Sequence, residues 1–334
     1  MNIPQTPILT AILVLLVCFA DPFTAKANGV LHRKNRTNGK ETIKAFDQAS
    51  EGARQSTVTI FDGETKVALG TVVSSSGFIL SKASNLPENP SIRIQNGRDL
   101  NAKLIGVDSR LDLALLSVPT ECLNPIVWSK SSAAQLGEWV IAPGRYETSL
   151  VGIISAKKRG IQRAGGALGV RLGSVAASQE GVPIQQVYPD SAAEAAGLKP
   201  QDRIKSINGN PTDSPQNLIK IIKAHDPGDT IRVEILRGGA LAEKRATLGY
   251  RSIFDAFDRN QLMSGPTSNR RTGFKEVIQH DIPLQPHLMG GPLVNLAGES
   301  IGINIARVDR VTTYALPSEL VIEAFERLKA KHYP

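Results

Sequence analysis

The sequence predicts a mainly β protein in which a smaller α+β module interrupts a longer β segment. Three observations support this fold class. Residues 58–84 are short runs rich in β-branched and aromatic residues, separated by Gly and Ser, which is typical of hairpins. Residues 231–236 alternate between apolar and polar side chains, as a half-buried strand does. Residues 214–224 place Leu218 and Ile222 on one face after a proline in the first turn, which predicts a helix.

Residues 1–27 have the pattern of a signal peptide. Residues 8–20 are apolar except for Thr10, a run that is short for a membrane span but suits a signal-peptide core. Ala25-Lys26-Ala27 then offers a cleavage site after Ala27. We therefore expect a periplasmic or secreted protein. Because no Lys or Arg precedes the apolar run, an uncleaved N-terminal anchor is the alternative.

Charge and cysteine content restrict the partners. The net charge is +8, and residues 28–50 hold a basic arm followed by a short helix from Glu41 to Arg54. The arm is a candidate contact for an anionic surface. Without an aromatic platform or a recognition helix, we expect no nucleic-acid partner. Cleavage would leave Cys122 as the single cysteine, so we expect no internal disulfide, and we expect neither a cofactor nor a metal.

Three motifs in the β segments resemble the HtrA/Deg family of envelope proteases. Residues 69–84 end in Gly-Phe-Ile-Leu-Ser-Lys-Ala-Ser, residues 105–116 contain Gly-Val-Asp and Asp-Leu-Ala-Leu-Leu, and residues 286–294 read Pro-His-Leu-Met-Gly-Gly-Pro-Leu-Val. The resemblance implies a trypsin-like double β-barrel. Its segments would be residues 51–163 and residues 273–334, the latter ending in a helix.

The resemblance also assigns catalytic positions. The family's histidine falls on Ser84, its aspartate on Asp112 and its nucleophilic serine on Met289, while His287 replaces a glycine whose amide helps to bind the oxyanion. A thioether cannot be acylated, and a serine hydroxyl is not a base near neutral pH. From this degenerate triad we predict a catalytically inactive homologue, a pseudoprotease that is not an enzyme. The alternative is an active serine endopeptidase in envelope protein quality control.

Two other catalytic arrangements are weaker hypotheses. His280 precedes Asp281 in a strand-like segment, but no serine with a recognisable motif adjoins it. Lys82 and Ser84 would point to the same face of a strand, as a Ser–Lys dyad requires. Nothing in the sequence supplies the pKa shift that such a lysine needs. We therefore interpret His280 as a structural residue.

Residues 164–250 resemble a PDZ domain. The resemblance is carried by the Ala-rich segment Ser191–Gly197, by Asp202-Arg203-Ile204 and by the Asn208-Gly209 turn between strands. It implies that a peptide C-terminus adds to a strand edge while loop amides hold its carboxylate. The implied groove residues are Leu168, Gly169, Val170, Leu172, Leu218 and Ile222. We expect protein or peptide C-termini as partners. The alternative is a groove that the chain's own segment fills, or one that only braces the fold.

The position of this module departs from the family pattern, in which the PDZ domain follows a finished protease domain. Here strand-like residues 151–156 precede it, and further strand-like residues at 275–320 follow it. We therefore predict an insertion into the second barrel, with a linker at 251–272. This departure leaves the oligomeric state open, and the sequence does not name the partner.

Overall fold

A computed structural model describes residues 32–36, 39–94, 97–120, 123–144, 149–175, 180–249 and 263–332. The predicted signal peptide, Cys122 and most of the predicted linker at 251–272 lie outside these ranges, so the statements made about them stay predictions. Within the ranges, no helix combines the length and the apolar character needed to cross a membrane.

In the described residues, a long helix is followed by an open antiparallel sheet. Helix α1 spans Lys40–Gln55, so it continues past the predicted boundary at residue 50. Seven strands follow in the order β5-β4-β1-β2-β3-β7-β6. Among the described residues the edge strands β5 and β6 do not pair with each other, so this first unit is a half-barrel. The strands are β1 Thr57–Asp62, β2 Thr65–Val72, β3 Phe78–Lys82, β4 Ser91–Arg93, β5 Asp99–Asn101, β6 Lys103–Asp108 and β7 Leu113–Ser117.

The inserted module starts after the first two strands of the second barrel, β8 (Trp139–Ala142) and β9 (Leu150–Ile161). Its sheet has the order β10-β11-β12-β14-β15, and β13 pairs with β12. The module's strands are β10 Val170–Leu172, β11 Val182–Val187, β12 Arg203–Ile207, β13 Asn210–Pro211, β14 Thr230–Arg237 and β15 Ala240–Thr247. Its helices are α2 (Ala192–Ala195) and α3 (Pro215–Lys223), and the side chain of Ser214 caps α3 at the predicted start.

The second barrel is built from strands that precede the insertion and strands that follow it. Strands β16 (Phe274–His280), β17 (Pro292–Val294), β18 (Ser300–Arg307) and β19 (Thr313–Pro317) join β8 and β9 in a closed barrel of order β16-β19-β18-β17-β8-β9. Helix α4, Ser318–His332, then ends the described chain. The predicted fold class is thereby confirmed: a trypsin-like arrangement of a half-barrel and a barrel, with an α+β module inserted in the second.

One apolar core joins the half-barrel, the barrel and α4. We call these three parts together the main unit. The half-barrel contributes Leu80 and Leu113, the barrel contributes Phe274 and Ile303, and α4 contributes Val321 to a single buried cluster. Burying such side chains is the main favourable term in folding. The two sheets therefore form one packed body although the module separates them in sequence.

Two linkers connect the module to the main unit, and they lie side by side. The amide of Gly273 in the exit linker (residues 263–273) donates to the carbonyl of Gln162 in the entry linker (residues 162–165) at 3.3 Å. The ladder between β9 and β16 begins directly beside this contact. The module therefore leaves and rejoins the barrel at one place, which is the geometry that an insertion requires.

A buried arginine fastens the exit linker to the barrel. Arg307, at the end of β18, is only 5% exposed. Its guanidinium donates to the carbonyls of Leu284 (2.9 Å) and Ser264 (2.7 Å), and its amide donates to the hydroxyl of Ser268 (2.9 Å). Burial lowers the pKa of Arg307. The Ser264 carbonyl supplied by the linker is therefore part of what makes this buried cation tolerable.

Two deletions should behave differently. Removing residues 164–262 and joining the ends through a flexible Gly/Ser linker should leave a main unit that unfolds cooperatively, because every barrel strand is kept. Removing residues 164–270 should cost about a further 3 kcal/mol of unfolding free energy, because Arg307 then loses its linker partners and is left as a poorly compensated buried charge. Urea denaturation followed by tryptophan fluorescence measures both. Aggregation of both proteins, or equal stability of the two, would contradict this account.

Candidate functional site

The carboxylate of Asp112 is the centre of the candidate site in the half-barrel. It is 3% exposed and has a left-handed backbone, with φ of 57°, just before β7. One oxygen, Oδ1, accepts from the amide of Ser84 at 2.8 Å. The other, Oδ2, accepts from the Ser84 hydroxyl at 2.9 Å and from Lys82 Nζ at 2.5 Å. A left-handed conformation at a non-glycine residue persists only where the surroundings hold it, as these bonds do.

Lys82 is fully buried at the end of β3 and forms an ion pair with Asp112. Burial lowers the pKa of Lys82, and the Asp112 carboxylate opposes this shift. Its Nζ also donates to the carbonyl of Arg270 in the exit linker at 3.3 Å. Lys82 and Ser84 do reach the same carboxylate oxygen, as their spacing suggested. The net shift of the lysine pKa is downward, which the sequence did not predict. Its Nζ, however, donates to the Asp112 carboxylate and to the Arg270 carbonyl, and among the described contacts it does not reach the Ser84 hydroxyl, as a general base for that hydroxyl must.

Met289 lies in a buried turn against the half-barrel. Its side chain is fully buried in the apolar cluster of the second barrel. Its amide donates to the carbonyl of Pro286 at 3.2 Å, within the one-turn 3-10 helix Pro286–Leu288 that also contains His287. Its carbonyl accepts from the amide of Leu69 at 2.9 Å. The amide of the family's nucleophile position is therefore used inside its own turn.

Asn85 joins the two parts of the site, a role that no sequence motif predicts. Its side-chain amide donates to the carbonyl of Pro286 at 2.9 Å and to the carbonyl of Val67 at 3.1 Å. It directly follows Ser84. The structure thus brings the turn of Ser84 next to the turn of His287 and Met289, so the predicted positions lie in one region.

Gly290 shows why a glycine follows Met289. Its φ is 93°, and a β-carbon there would lie 2.1 Å from the carbonyl oxygen of Leu69 and 2.5 Å from the hydroxyl of Ser81. The hydroxyl of Thr71 donates to the Gly290 carbonyl at 2.9 Å. Close approach of the two sheets therefore requires a glycine here whatever the chemistry of the site.

His280 is a buried neutral histidine beside the same loop. Its Nδ1 accepts from the amide of Ile282 at 3.3 Å, so Nε2 carries the proton and donates to Asn304 Oδ1 at 2.8 Å. Asn304 in turn donates to the carbonyls of Gly291 and Pro292. Desolvation lowers the pKa of His280 to about 4. These contacts support the interpretation of His280 as a structural residue that fixes the loop after Met289.

The predicted groove residues of the inserted module lie together. Leu168, Val170, Leu218 and Ile222 are buried in one apolar cluster, and Leu172 packs against it while partly exposed. Strand β10, which carries Val170 and Leu172, is an edge strand of its sheet. An edge strand has unpaired backbone groups that can bind another chain. The structure therefore assembles a strand edge and an apolar cluster in the module.

The loop before β10 presents two amides. The carbonyl of Leu168 accepts from the amide of Ala193 at 2.8 Å, and the carbonyl of Gly169 accepts from the amide of Tyr188 at 3.1 Å. Within the described ranges, the amides of Leu168 and Gly169 themselves donate to no acceptor. Gly169 has φ of 78°, and a β-carbon there would lie 2.3 Å from that of Ser191. The loop conformation, which leaves both amides without a described acceptor, therefore depends on a glycine.

Two protein-family models match the chain. A model described as a PDZ domain matches residues 166–248, and a model described as a trypsin-like peptidase domain matches residues 68–197. The first covers most of the inserted module. The second covers the greater part of the half-barrel, the first two strands of the barrel and the beginning of the module.

Curated relatives carry protease names. A probable periplasmic serine endoprotease DegP-like from Hahella chejuensis is 27% identical over 253 residues, which is 51% of this chain and 54% of that protein. The periplasmic pH-dependent serine endoprotease DegQ from Escherichia coli is 23% identical over 338 residues, covering 72% of this chain and 73% of that protein. The chain spans about half the length of the first of these relatives.

Among the solved structures that are similar to this chain is an HtrA-type protease AlgW with a decapeptide. It is 17% identical with a TM-score of 0.31, and the match covers 62% of this chain and 98% of that one. A serine endoprotease from Yersinia pestis is 22% identical with a TM-score of 0.30, covering 61% and 97%.

These names contradict the prediction that the chain is not an enzyme. The curated relatives are named serine endoproteases, and nothing in the comparisons indicates a loss of activity. The prediction rests on the side chains at Ser84, His287 and Met289 alone. Catalytic groups are recognised by geometry and role, and three positions of a family pattern are too narrow a basis for excluding them. The prediction of a pseudoprotease is therefore wrong, because the relatives are named as serine endoproteases.

The ion pair of Lys82 with Asp112 should be essential for stability. Lys82→Met should lower the free energy of unfolding by about 3–5 kcal/mol, because it leaves a buried carboxylate without its cation. Adding Asp112→Asn should recover part of this loss, since the buried charge is then removed. Urea denaturation of both single variants and the double variant measures the coupling. Lys103→Met on the exposed face of β6 is the matched control. A small loss at Lys82, equal to that of the control, would contradict the proposed role of the pair.

His280 should make stability depend on pH. Its pKa is lowered to about 4 in the folded state from 6.5, so the unfolded chain binds the proton first as the pH falls. The stabilisation is complete above pH 6.5 and is lost towards pH 4, by about 3 kcal/mol. Chemical denaturation across this range should show a shallower pH dependence for His280→Gln, whose amide can keep both bonds. Identical slopes for the two proteins would show that His280 does not titrate as described.

Proposed function

Because the chain belongs to the HtrA-like family of trypsin-like peptidases with a PDZ domain, we propose that it acts in the bacterial periplasm by binding free C-termini of proteins or peptides. We place the PDZ domain at residues 164–250, between main-unit segments 51–163 and 273–334. The observation that carries the proposal is the open edge of β10 beside the amides of Leu168 and Gly169, which donate to no acceptor among the described residues. The periplasmic names of the relatives support the location.

The groove explains both parts of this recognition. A peptide that adds to β10 pairs its backbone with an edge strand, and its terminal carboxylate accepts charge-assisted bonds from the two amides. Its apolar terminal side chain packs on the same face as Val170, against the buried cluster of the module that the partly buried Ile221 borders. Two adjacent linkers attach the PDZ domain to the main unit. A protein partner that binds to the PDZ domain in this way is therefore held near the main unit.

The free carboxylate should add measurably to the affinity. Amidating the C-terminus of an apolar peptide should weaken binding about tenfold or more, because a charge-assisted hydrogen bond is worth about 1.5–3 kcal/mol. Calorimetric titration of the full chain with free and amidated forms of C-terminal peptide libraries measures this difference. Ile221→Glu should abolish binding, whereas Ile219→Glu, on the exposed side of the same helix, should preserve it. Equal affinity for free and amidated peptides would defeat the proposal and indicate a structural PDZ domain.

Serine endopeptidase activity in envelope protein quality control is a second candidate function. The names of the relatives favour it. Met289 has no hydroxyl, so such activity requires a nucleophile at another position. Ser84 is the hydroxyl that the described site offers, because it is exposed and lies 2.9 Å from the carboxylate of Asp112.

This second function predicts cleavage of unfolded casein and covalent labelling of a serine by a fluorophosphonate probe. Ser84→Ala should remove both, while Ser76→Ala, a substitution on an exposed turn, should remove neither. Mass spectrometry of the labelled protein identifies the modified residue. If the full chain shows neither cleavage nor labelling, this second function is rejected, and peptide binding stands independently.

A further inference from the structure

Arg171 is an exposed cation in the middle of the edge strand β10. Val170 and Leu172 on either side of it belong to the apolar cluster of the module. Because side chains alternate along a strand, Arg171 points to the opposite face. Its neighbour in the ladder is Gln186, which is exposed and neutral. Among the described residues Arg171 forms no salt bridge, so its charge faces solvent without a counter-ion.

The geometry of strand addition decides which ligand residue meets Arg171. The two amides that hold the carboxylate belong to Leu168 and Gly169, at the start of β10, so a bound peptide runs antiparallel to this strand. Its terminal residue then lies opposite Val170, and its penultimate residue lies opposite Arg171. Directly opposite residues in an antiparallel pair point to the same face, with β-carbons about 4.5–5.5 Å apart. The penultimate side chain is therefore the one within reach of the guanidinium.

The other border of the groove is also cationic. Lys220 and Lys223 occupy the last turn of α3 and are exposed. The carbonyl of Lys223 lies against Gly165, at the beginning of the carboxylate loop. Both sides of the carboxylate end thus carry positive charge. Such a surface attracts acidic peptides and repels basic ones.

We propose that Arg171 makes this groove select peptides with an acidic penultimate residue before an apolar free C-terminus. The inference rests on the proposed peptide-binding function and adds a partner class to it. The terminal carboxylate and the apolar side chain provide binding through backbone amides and the cluster. Arg171 discriminates among such peptides by an ion pair with a penultimate Asp or Glu, which Arg can hold through two parallel hydrogen bonds.

The test uses the full chain and three labelled peptides that end in the same apolar residue, with Glu, Gln or Lys at the penultimate position. Fluorescence anisotropy should rank them Glu, Gln, Lys, with about two- to five-fold between successive peptides, the range of an exposed ion pair. Raising the salt concentration should compress the ranking. Arg171→Glu should reverse the order. Arg245→Glu makes the same charge change on β15, at the far edge of the sheet, and should keep the order.

The outcomes separate this inference from the function beneath it. If all three peptides bind equally and Arg171→Glu changes nothing, the specificity inference is wrong while peptide binding stands. If Arg245→Glu reverses the order as well, the effect comes from net charge and the role of Arg171 is also refuted. If no free peptide binds more tightly than its amidated form, the proposed function itself fails.

Discussion

The ion pair between Lys82 and Asp112 is the interaction on which the main unit depends most. Two charges removed from water are stable only when their remaining bonding capacity is filled. Asp112 achieves this by accepting from Ser84 twice, and Lys82 by donating to the exit linker at Arg270. The pair therefore fixes three separate segments at once. The end of β3 with the turn after it, the residue before β7 and the segment that returns from the PDZ domain meet at one ion pair.

The second dependence is closure of the barrel across an inserted domain. Strands β9 and β16 pair although the whole PDZ domain lies between them in sequence. A long insertion adds little to the entropic cost of closing this loop, because that cost grows slowly with loop length. Pairing of the two strands then requires that the two ends of the inserted domain lie close together. The entry and exit linkers lie side by side and so meet this condition. Arg307 and Lys82, holding the same exit linker in different sheets, keep the exit point of the domain fixed relative to the site.

Local features could be predicted from the sequence and long-range ones could not. The PDZ-like turn at Asn208-Gly209, with both residues at positive φ, and the helix after Ser214 follow from neighbouring residues. The pairing of Lys82 with Asp112 and the bond from His280 to Asn304 join residues far apart in the chain. No local pattern encodes such contacts. The predicted loss of enzyme activity is wrong for a related reason: it treats single positions as a site, while a site is a set of distances.

Within the PDZ domain, affinity and specificity depend on different parts of the chain. The carboxylate is held by backbone amides, whose placement needs the left-handed Gly169 but no particular side chain. A site of this kind accepts any free C-terminus with a suitable apolar end. Discrimination must come from side chains that flank the ligand without forming the cluster, because cluster residues are constrained by packing. On β10, Arg171 is the residue free of that constraint, and its exposed charge can vary without cost to the fold. The preferred chemistry of the partner is therefore determined by a residue whose identity the packing of the fold hardly constrains.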